Sequence, residues 1–473
     1  AGYLVPIFVD EVLPGDTMNL NMSTFCRLAT PLHPIMDNLF LDTFFFFVPN
    51  RLLWENWERF NGAQDDPADS TSFTIPIMNT GVAVAEGSLG DYFEYSSLPF
   101  RAYNLIYNEW FRDENLQDSA YTYIGDANTD LVNYPLLRRG KRHDYFTSCL
   151  PWPQKGADVS LPLGVSAPVV TDGNPLSIST FGGAAINLSL TSGTTNVDLA
   201  TNALASGNAF FTDTGLQADL SAATSATVNQ LREAMQIQQL YERDARGGTR
   251  YVELIKSHFG VVSPDFRMQR PEFLGGGQSS VNINAIAQTS ETATTPQGTL
   301  AAMGTMSGNN HGFTKSFVEH GVIIGMASLR ADLTYQQGID RMWSRETRED
   351  FYWPSLAHLG EQAVLNKEIY CDGTAADNNV FGYQERYAEY RFKPSKITGS
   401  FRSSAAASLD IWHLSQDFGA LPLLNDTFIQ DNPPLDRCIA TPTEPHVIGD
   451  FYFDYKCARP MPVNSIPAGF GKF

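Results

Sequence analysis

Three short clusters of basic side chains interrupt an otherwise acidic chain, and they are its clearest candidates for chemistry. Arg138, Arg139, Lys141 and Arg142 fall within five positions, beside His143 and shortly before Tyr145, Phe146 and Trp152. Cations next to aromatic rings grip single-stranded nucleic acid by phosphate pairing and base stacking. A solvated turn or a salt-bridge patch at a protein contact would use the same residues, so both readings stand. Arg243, Arg246 and Arg250 flank Gly247-Gly248. A helix starting after Gly248 could hold an anion at its N-terminus, but helix capping and interface pairing with Glu242 and Asp244 is the favoured reading. In the third cluster Arg386, Arg391, Lys393 and Lys396, with Arg402, interleave with Tyr383, Tyr387, Tyr390 and Phe392. Alternation along a strand here would place Arg391 and Lys393 on one wet face, with Tyr390 and Phe392 on the other.

Other chemistry is sought without success. The eight histidines never fall three or four residues apart, so no helical metal pair is encoded, and no metal site or cofactor is expected. There is no Gly-x-Ser-x-Gly elbow, no phosphate-binding Walker loop and no dinucleotide fingerprint. Gly275-Gly276-Gly277 precedes polar residues and reads as a hinge. Five scattered cysteines, odd in number and without a Cys-x-x-Cys pair, read as reduced and mostly buried thiols of a cytosolic product. With 52 acids against 32 bases the chain carries −20, which excludes whole-surface binding to nucleic acid and leaves only local contacts.

The elements that must position these residues are mostly strands. Met18, Leu20, Met22, Cys26 and Leu28 keep the two-residue period of a half-buried strand. Leu39–Val48, with four consecutive phenylalanines, suits a strand buried on both faces and ended by Pro49. Asn50 is placed to cap a short helix bearing Leu53, Trp54, Trp57 and Phe60. Strands are expected again at 318–326, 387–392, 408–414 and 447–455. Helical spacing over 231–259, broken at Gly247-Gly248, predicts a helix, kink, helix unit. Two stretches are poor in charge. Residues 156–231 hold five Asp and no Lys, Arg or Glu, and read as a folded surface protrusion; 274–315, with Glu291 as the sole charge before Lys315, reads as a loop. The longest apolar run, Phe44–Val48, is too short to span a bilayer, and no signal segment opens the chain, so neither membrane insertion nor secretion is expected. Because Ala1 opens directly on an apolar run, a short preceding tail is expected.

Several strings together resemble the major capsid protein of the microviruses, the gokushovirus branch above all. They are Leu4-Val-Pro-Ile-Phe-Val-Asp-Glu-Val-Leu-Pro-Gly-Asp-Thr17, Arg142-His-Asp-Tyr-Phe-Thr-Ser-Cys-Leu-Pro-Trp-Pro-Gln-Lys155 and Arg243-Asp-Ala-Arg-Gly-Gly-Thr-Arg-Tyr251, then Ser263-Pro-Asp-Phe-Arg-Met-Gln-Arg-Pro-Glu-Phe-Leu274 and Tyr383-Gln-Glu-Arg-Tyr-Ala-Glu-Tyr390. The resemblance implies a mainly β chain, an eight-stranded viral jelly roll with long loop insertions and a few helices. It implies a non-enzymatic subunit that assembles with copies of itself into a T=1 icosahedral shell around circular single-stranded DNA. It also implies partners: an internal scaffolding protein, a small basic DNA-associated protein, a pilot protein and a bacterial host receptor. The expected division is 1–155 for the first jelly-roll strands with helical insertions and 156–228 for a threefold protrusion. Residues 229–312 would form the helix pair and polar loop, and 313–473 the remaining strands. A secreted carbohydrate-binding module or glycoside hydrolase is the competing class; the missing signal segment weakens it.

Overall fold

In the computed structural model, residues 1–79, 95–159 and 228–461 are described, together with short strands between 169 and 218. The chain divides into two compact units, Ala1–Lys155 with Glu242–Phe473, and Gly156–Tyr241. In the larger unit eight principal strands build two four-stranded antiparallel sheets: β1 (Val5–Val12), β2 (Thr17–Leu28), β3 (Leu39–Pro49), β4 (Glu272–Ser280), β5 (Asn282–Ala287), β6 (Leu300–Ser316), β7 (Gly321–Ala331) and β8 (Val447–Ala458). One sheet runs β1-β7-β3-β4 and the other β5-β6-β2-β8. Early strands thus alternate with late ones, and the chain is mainly β, in keeping with a jelly roll.

Alternation along β2 turns Met18, Leu20 and Met22 inward against Phe45, Phe47, Phe313 and Ile323, and Cys26 and Leu28 against Leu41, Met306 and Leu329, closing a core between the sheets. On β3 the other phenylalanine face, Phe44 and Phe46, with Val48, packs outward beneath Leu98, Ala102 and Ile106 of helix α1 (Leu98–Ile106) and beneath Trp54. This strand is covered on both faces, as its unbroken apolar run predicts. Each buried phenylalanine contributes roughly 1.5–3 kcal/mol. At one end of its sheet β8 pairs with β2, turning Phe451, Phe453 and Tyr455 inward and leaving Ile448 and Tyr452 exposed.

The segment 274–315 is corrected from loop to barrel. It supplies most of β4, all of β5 and nearly all of β6, which pairs with β2 along most of its length. Its polar, charge-poor composition misleads because the glycines are structural. A Cβ on Gly276 would stand 2.1 Å from the Thr43 carbonyl oxygen, and one on Gly312 would stand 1.9 Å from that of Leu20. Gly275-Gly276-Gly277 is therefore no hinge; it lies in β4, where backbone meets backbone.

Other expectations shift. Instead of one capped helix after Asn50 there is a 3-10 turn, Asn50–Leu52, and a separate helical turn, Trp57–Phe60, and Asn50 makes no side-chain cap. The strand foreseen at 318–326 begins at Gly321, since Val318 sits exposed in the preceding turn. Residues 408–414 form a 3-10 turn at Asp410–Trp412, because Ser408 Oγ accepts the Asp410 N–H at 3.1 Å and starts a local turn. The helix pair holds: α2 (Val228–Arg246) and α3 (Tyr251–Phe259) break at Gly247-Gly248, with Gly248 at φ +103° and Gly260 closing α3 at φ +69°. In the smaller unit Ser177–Thr180 pairs with Ile186–Asn187 and Ala209–Asp213, and Val169–Thr171 with Leu216–Ala218. Most of the expected protrusion lies outside the described residues.

Gly312→Ala is expected to destabilise the chain by about 1–3 kcal/mol or to prevent folding. Gly419→Ala, where nothing lies within 4 Å of the added Cβ, is expected to be neutral. Urea unfolding of the two variants checks the contrast.

Candidate anion-binding crevice

The fold brings parts of all three basic clusters towards one region of the larger unit. A cavity of about 700 Å³ is lined by Arg246 and Arg250 from the helix break, by His143, by Arg391, and by Arg112 at the end of the α1 insertion. A second cavity of about 330 Å³ shares Arg112, His143 and Arg250 and adds Arg139, Lys141, Arg142 and Arg330. Arg138 stands apart, its guanidinium 4.4 Å from the Tyr3 ring centre.

Most of these cations have internal partners. Arg139 and Arg330 both lie 2.9 Å from Oδ2 of the buried Asp42, and Arg139 stacks over Phe44 and Phe111. Lys141 is buried, donating to the Phe428 carbonyl and to Gln416 Oε1. Burial pushes its ammonium down to about 8, and burial likewise pushes the neighbouring Asp431 carboxyl up to about 6. Arg142 pairs with Asp332 at 3.1 Å and keeps a third of its side chain exposed. At the helix break Arg246 and Arg250 have carboxylate partners other than Asp244. Arg246 binds Glu361 and the Ser148 carbonyl, and Arg250 binds Glu114, Glu253 and the carbonyls of Asn108 and Arg112. Asp244 instead holds His258 at 2.7 Å. Arg243 is exposed on the last turn of α2.

The third cluster is not a strand. The hairpin Glu361–Leu365 with Val380–Glu385 ends its pairing at Glu385, and Tyr387 then turns left-handed at φ +63° into a 3-10 turn, Ala388–Tyr390. Two bonds hold that turn: Tyr387 N–H to Gln362 Oε1 and Tyr387 hydroxyl to the Glu349 carbonyl. Arg391 and Lys393 are both exposed nonetheless, Arg391 paired with Glu385 and Lys393 donating to the Glu389 carbonyl. Lys396 pairs with Asp340, and Arg386 lies over the Tyr387 ring.

Sequence reasoning missed the ledge beside this turn. Met342, Trp343, Phe351 and Tyr352 are exposed there, with Arg345 4.4 Å from the Tyr390 ring centre and Arg348 4.5 Å from that of Trp353. The Arg341, Arg345, Arg348 spacing around Trp343 was the available signal. Exposed Trp, Tyr and Arg are the residues that dominate protein contacts.

The larger unit is thus a two-sheet β-sandwich with ion-paired insertions and an exposed aromatic ledge. The chain belongs to the phage capsid protein (F protein) family, whose model matches residues 1–469. It is 52% identical to capsid protein VP1 of Bdellovibrio phage phiMH2K, over 99% of this chain and 93% of that one. It is 46% identical to VP1 of Chlamydia phage 1 and 38% to VP1 of Spiroplasma virus 4, in each case over 98% of this chain and 92% of the relative. These are structural capsid proteins, and the chain is a capsid subunit of microvirus type and not an enzyme. Among the described residues no helix is long and apolar enough to cross a membrane.

The raised Asp431 pKa sets a pH dependence. Its folded value lies above the ordinary carboxyl value, so the favourable contribution is present at low pH and fades as pH rises through about 6. Asp431→Asn is neutral throughout, so its Tm relative to the parent chain is expected to rise between pH 4 and pH 7. Thermal scans across that range check it; a constant difference would refute the assignment.

Proposed function

We propose that the chain is the major subunit of a T=1 icosahedral shell that encloses circular single-stranded DNA. The full-length likeness to phage capsid proteins carries this reading, because it covers the barrel and the insertions alike. The contacts are heterologous, closing into rings about the symmetry axes. The barrel forms the shell wall, and segment 156–228 forms a protrusion at the threefold axes that meets a receptor on the bacterial host. Assembly takes place in the host cytoplasm with an internal scaffolding protein, a pilot protein and a small basic DNA-associated protein.

Charge supports the last of these partners. A subunit carrying −20 cannot neutralise a genome in bulk, and many of its cluster cations already face carboxylates within the subunit. DNA contact then falls to the more accessible cations, with Arg391, Lys393 and Lys396 foremost and Arg138, Arg142 and Arg386 beside them. Arg139 and Lys141 act from within the subunit, and Arg243 is the member of the helix-break cluster free to face a neighbouring copy.

The expressed chain, with its scaffold, is expected to give particles of one icosahedral size by negative-stain microscopy; monomers or fibres alone would count against the shell. Arg391→Ala with Lys393→Ala is expected to leave particle yield near normal, lower DNA content, and reduce the salt slope of DNA binding by about 2. Unchanged DNA content would assign both residues to structure. Removing 156–228 is expected to leave a folded barrel whose particles attach poorly to cells; loss of folding would place the segment in the core.

A further inference from the structure

The smaller cavity has a wall of unusual charge. Six cations line it, Arg112, Arg139, Lys141, Arg142, Arg250 and Arg330, and the only carboxylate on the wall is Asp113. Asp113 is turned to its own backbone, its Oδ1 accepting the N–H groups of Asn115 and Leu116 at 2.9 and 3.1 Å.

The counter-charges stand behind the wall and are shared. Arg139 and Arg330 rest on the same oxygen, Oδ2 of Asp42. Arg112 and Arg250 approach the same oxygen of Glu114, at 3.7 and 2.9 Å, with Glu253 as a further partner of Arg250. Arg142 has Asp332, Lys141 donates to neutral acceptors, and the buried Asp431 carboxyl stands near Arg139, Lys141 and Arg142. A guanidinium offers five donors, so pairs of arginines sharing one carboxylate keep donors in surplus. The Nε–H groups of Arg112, Arg139 and Arg142 are buried without a hydrogen-bond partner among the described residues. Unmade bonds of this kind cost about 1–3 kcal/mol each.

The space suits a small hydrated anion. About 330 Å³ holds on the order of ten waters at about 30 Å³ each, which is ample for one tetrahedral phosphate group and its remaining hydration. Guanidiniums are the favoured partners of such a group, because their paired N–H vectors match two of its oxygens. The exposed His143 and the partly exposed Arg142 mark the side from which solvent reaches the cavity.

We propose that the cavity walled by Arg112, Arg139, Arg142, Arg250 and Arg330 is a binding site for a phosphate-class anion, filled by free phosphate or by one backbone phosphate of a nucleic acid strand. The bound anion takes guanidinium donors that Asp42 and Glu114 leave unused, and it fastens the 138–143 segment to the helix break. The site does not depend on the shell reading, since the residues that form it lie within one subunit.

The test uses the full-length chain at pH 7, with ionic strength matched by chloride, and inorganic phosphate as the probe. Phosphate is expected to raise Tm and to bind measurably by calorimetry. Arg142→Gln and Arg112→Gln are each expected to weaken that binding about tenfold or more, while Arg348→Gln on the aromatic ledge leaves it unchanged. Arg142 is the more exposed of the two, so its variant carries the test if Arg112→Gln does not fold. A short single-stranded oligonucleotide that displaces phosphate identifies the nucleic acid backbone as the source; phosphate that stays bound in its presence identifies the free ion. A Tm rise no greater than that from chloride, or parent-like binding by Arg142→Gln, overturns the proposal.

Discussion

One carboxylate holds the barrel to its insertions. Asp42 lies in the middle of β3, buried, with Oδ2 shared by Arg139 and Arg330 and Oδ1 accepting from Gln278. Those three partners come from the segment before the 145–150 turn, from β7 and from β4, so four stretches of chain distant in sequence meet at one side chain. Removing the charge would strand two guanidiniums in a low-dielectric interior, a loss of about 3–5 kcal/mol for a broken buried pair. The phenylalanines on either side of Asp42 exclude water, and that exclusion strengthens the pairing. Packing and electrostatics are thus coupled at β3: the apolar run creates the dry environment, and the single acid within it fixes which segments enter.

The sequence made the apolar strands legible and concealed the polar ones. β2, β3 and β8 announce themselves by alternation or by unbroken apolar runs, because their partners are side chains in a core. β4 and β6 do not, since Gly275, Gly276 and Gly312 are present to let backbones approach, and a glycine leaves no hydrophobic period to read. The reverse error arose at 387–392, where alternating aromatics and cations imitate a strand. Tyr387 there takes a left-handed conformation held by bonds to Gln362 and Glu349, partners that no local pattern could reveal. The basic clusters were visible as clusters, but their grouping around shared cavities was not, because Arg112 and Arg330 come from segments without any local excess of charge.

The clusters also alter what the net charge means. In a chain with 20 more acids than bases, Arg139, Lys141, Arg246 and Arg250 are largely withdrawn from solvent into contacts with other residues of the same subunit. Their partner carboxylates are withdrawn with them, so the surface that remains keeps the acidic excess of the composition. Copies of such a surface repel at long range and can approach only where charge is locally balanced, as along the ledge of Trp343, Tyr352 and Trp353, whose arginines face Glu368 and Glu389.

The end position of β8 bears on how copies fail to associate as well as how they succeed. A terminal strand with exposed Ile448 and Tyr452 offers an unsatisfied row of backbone donors and acceptors, the template on which open-ended fibrils grow. Asp450, Asp454 and Lys456 are spaced along that same strand. Charged side chains along an edge strand hinder its open-ended pairing with a further chain, so the same strand that exposes Ile448 and Tyr452 carries its own brake on fibril growth.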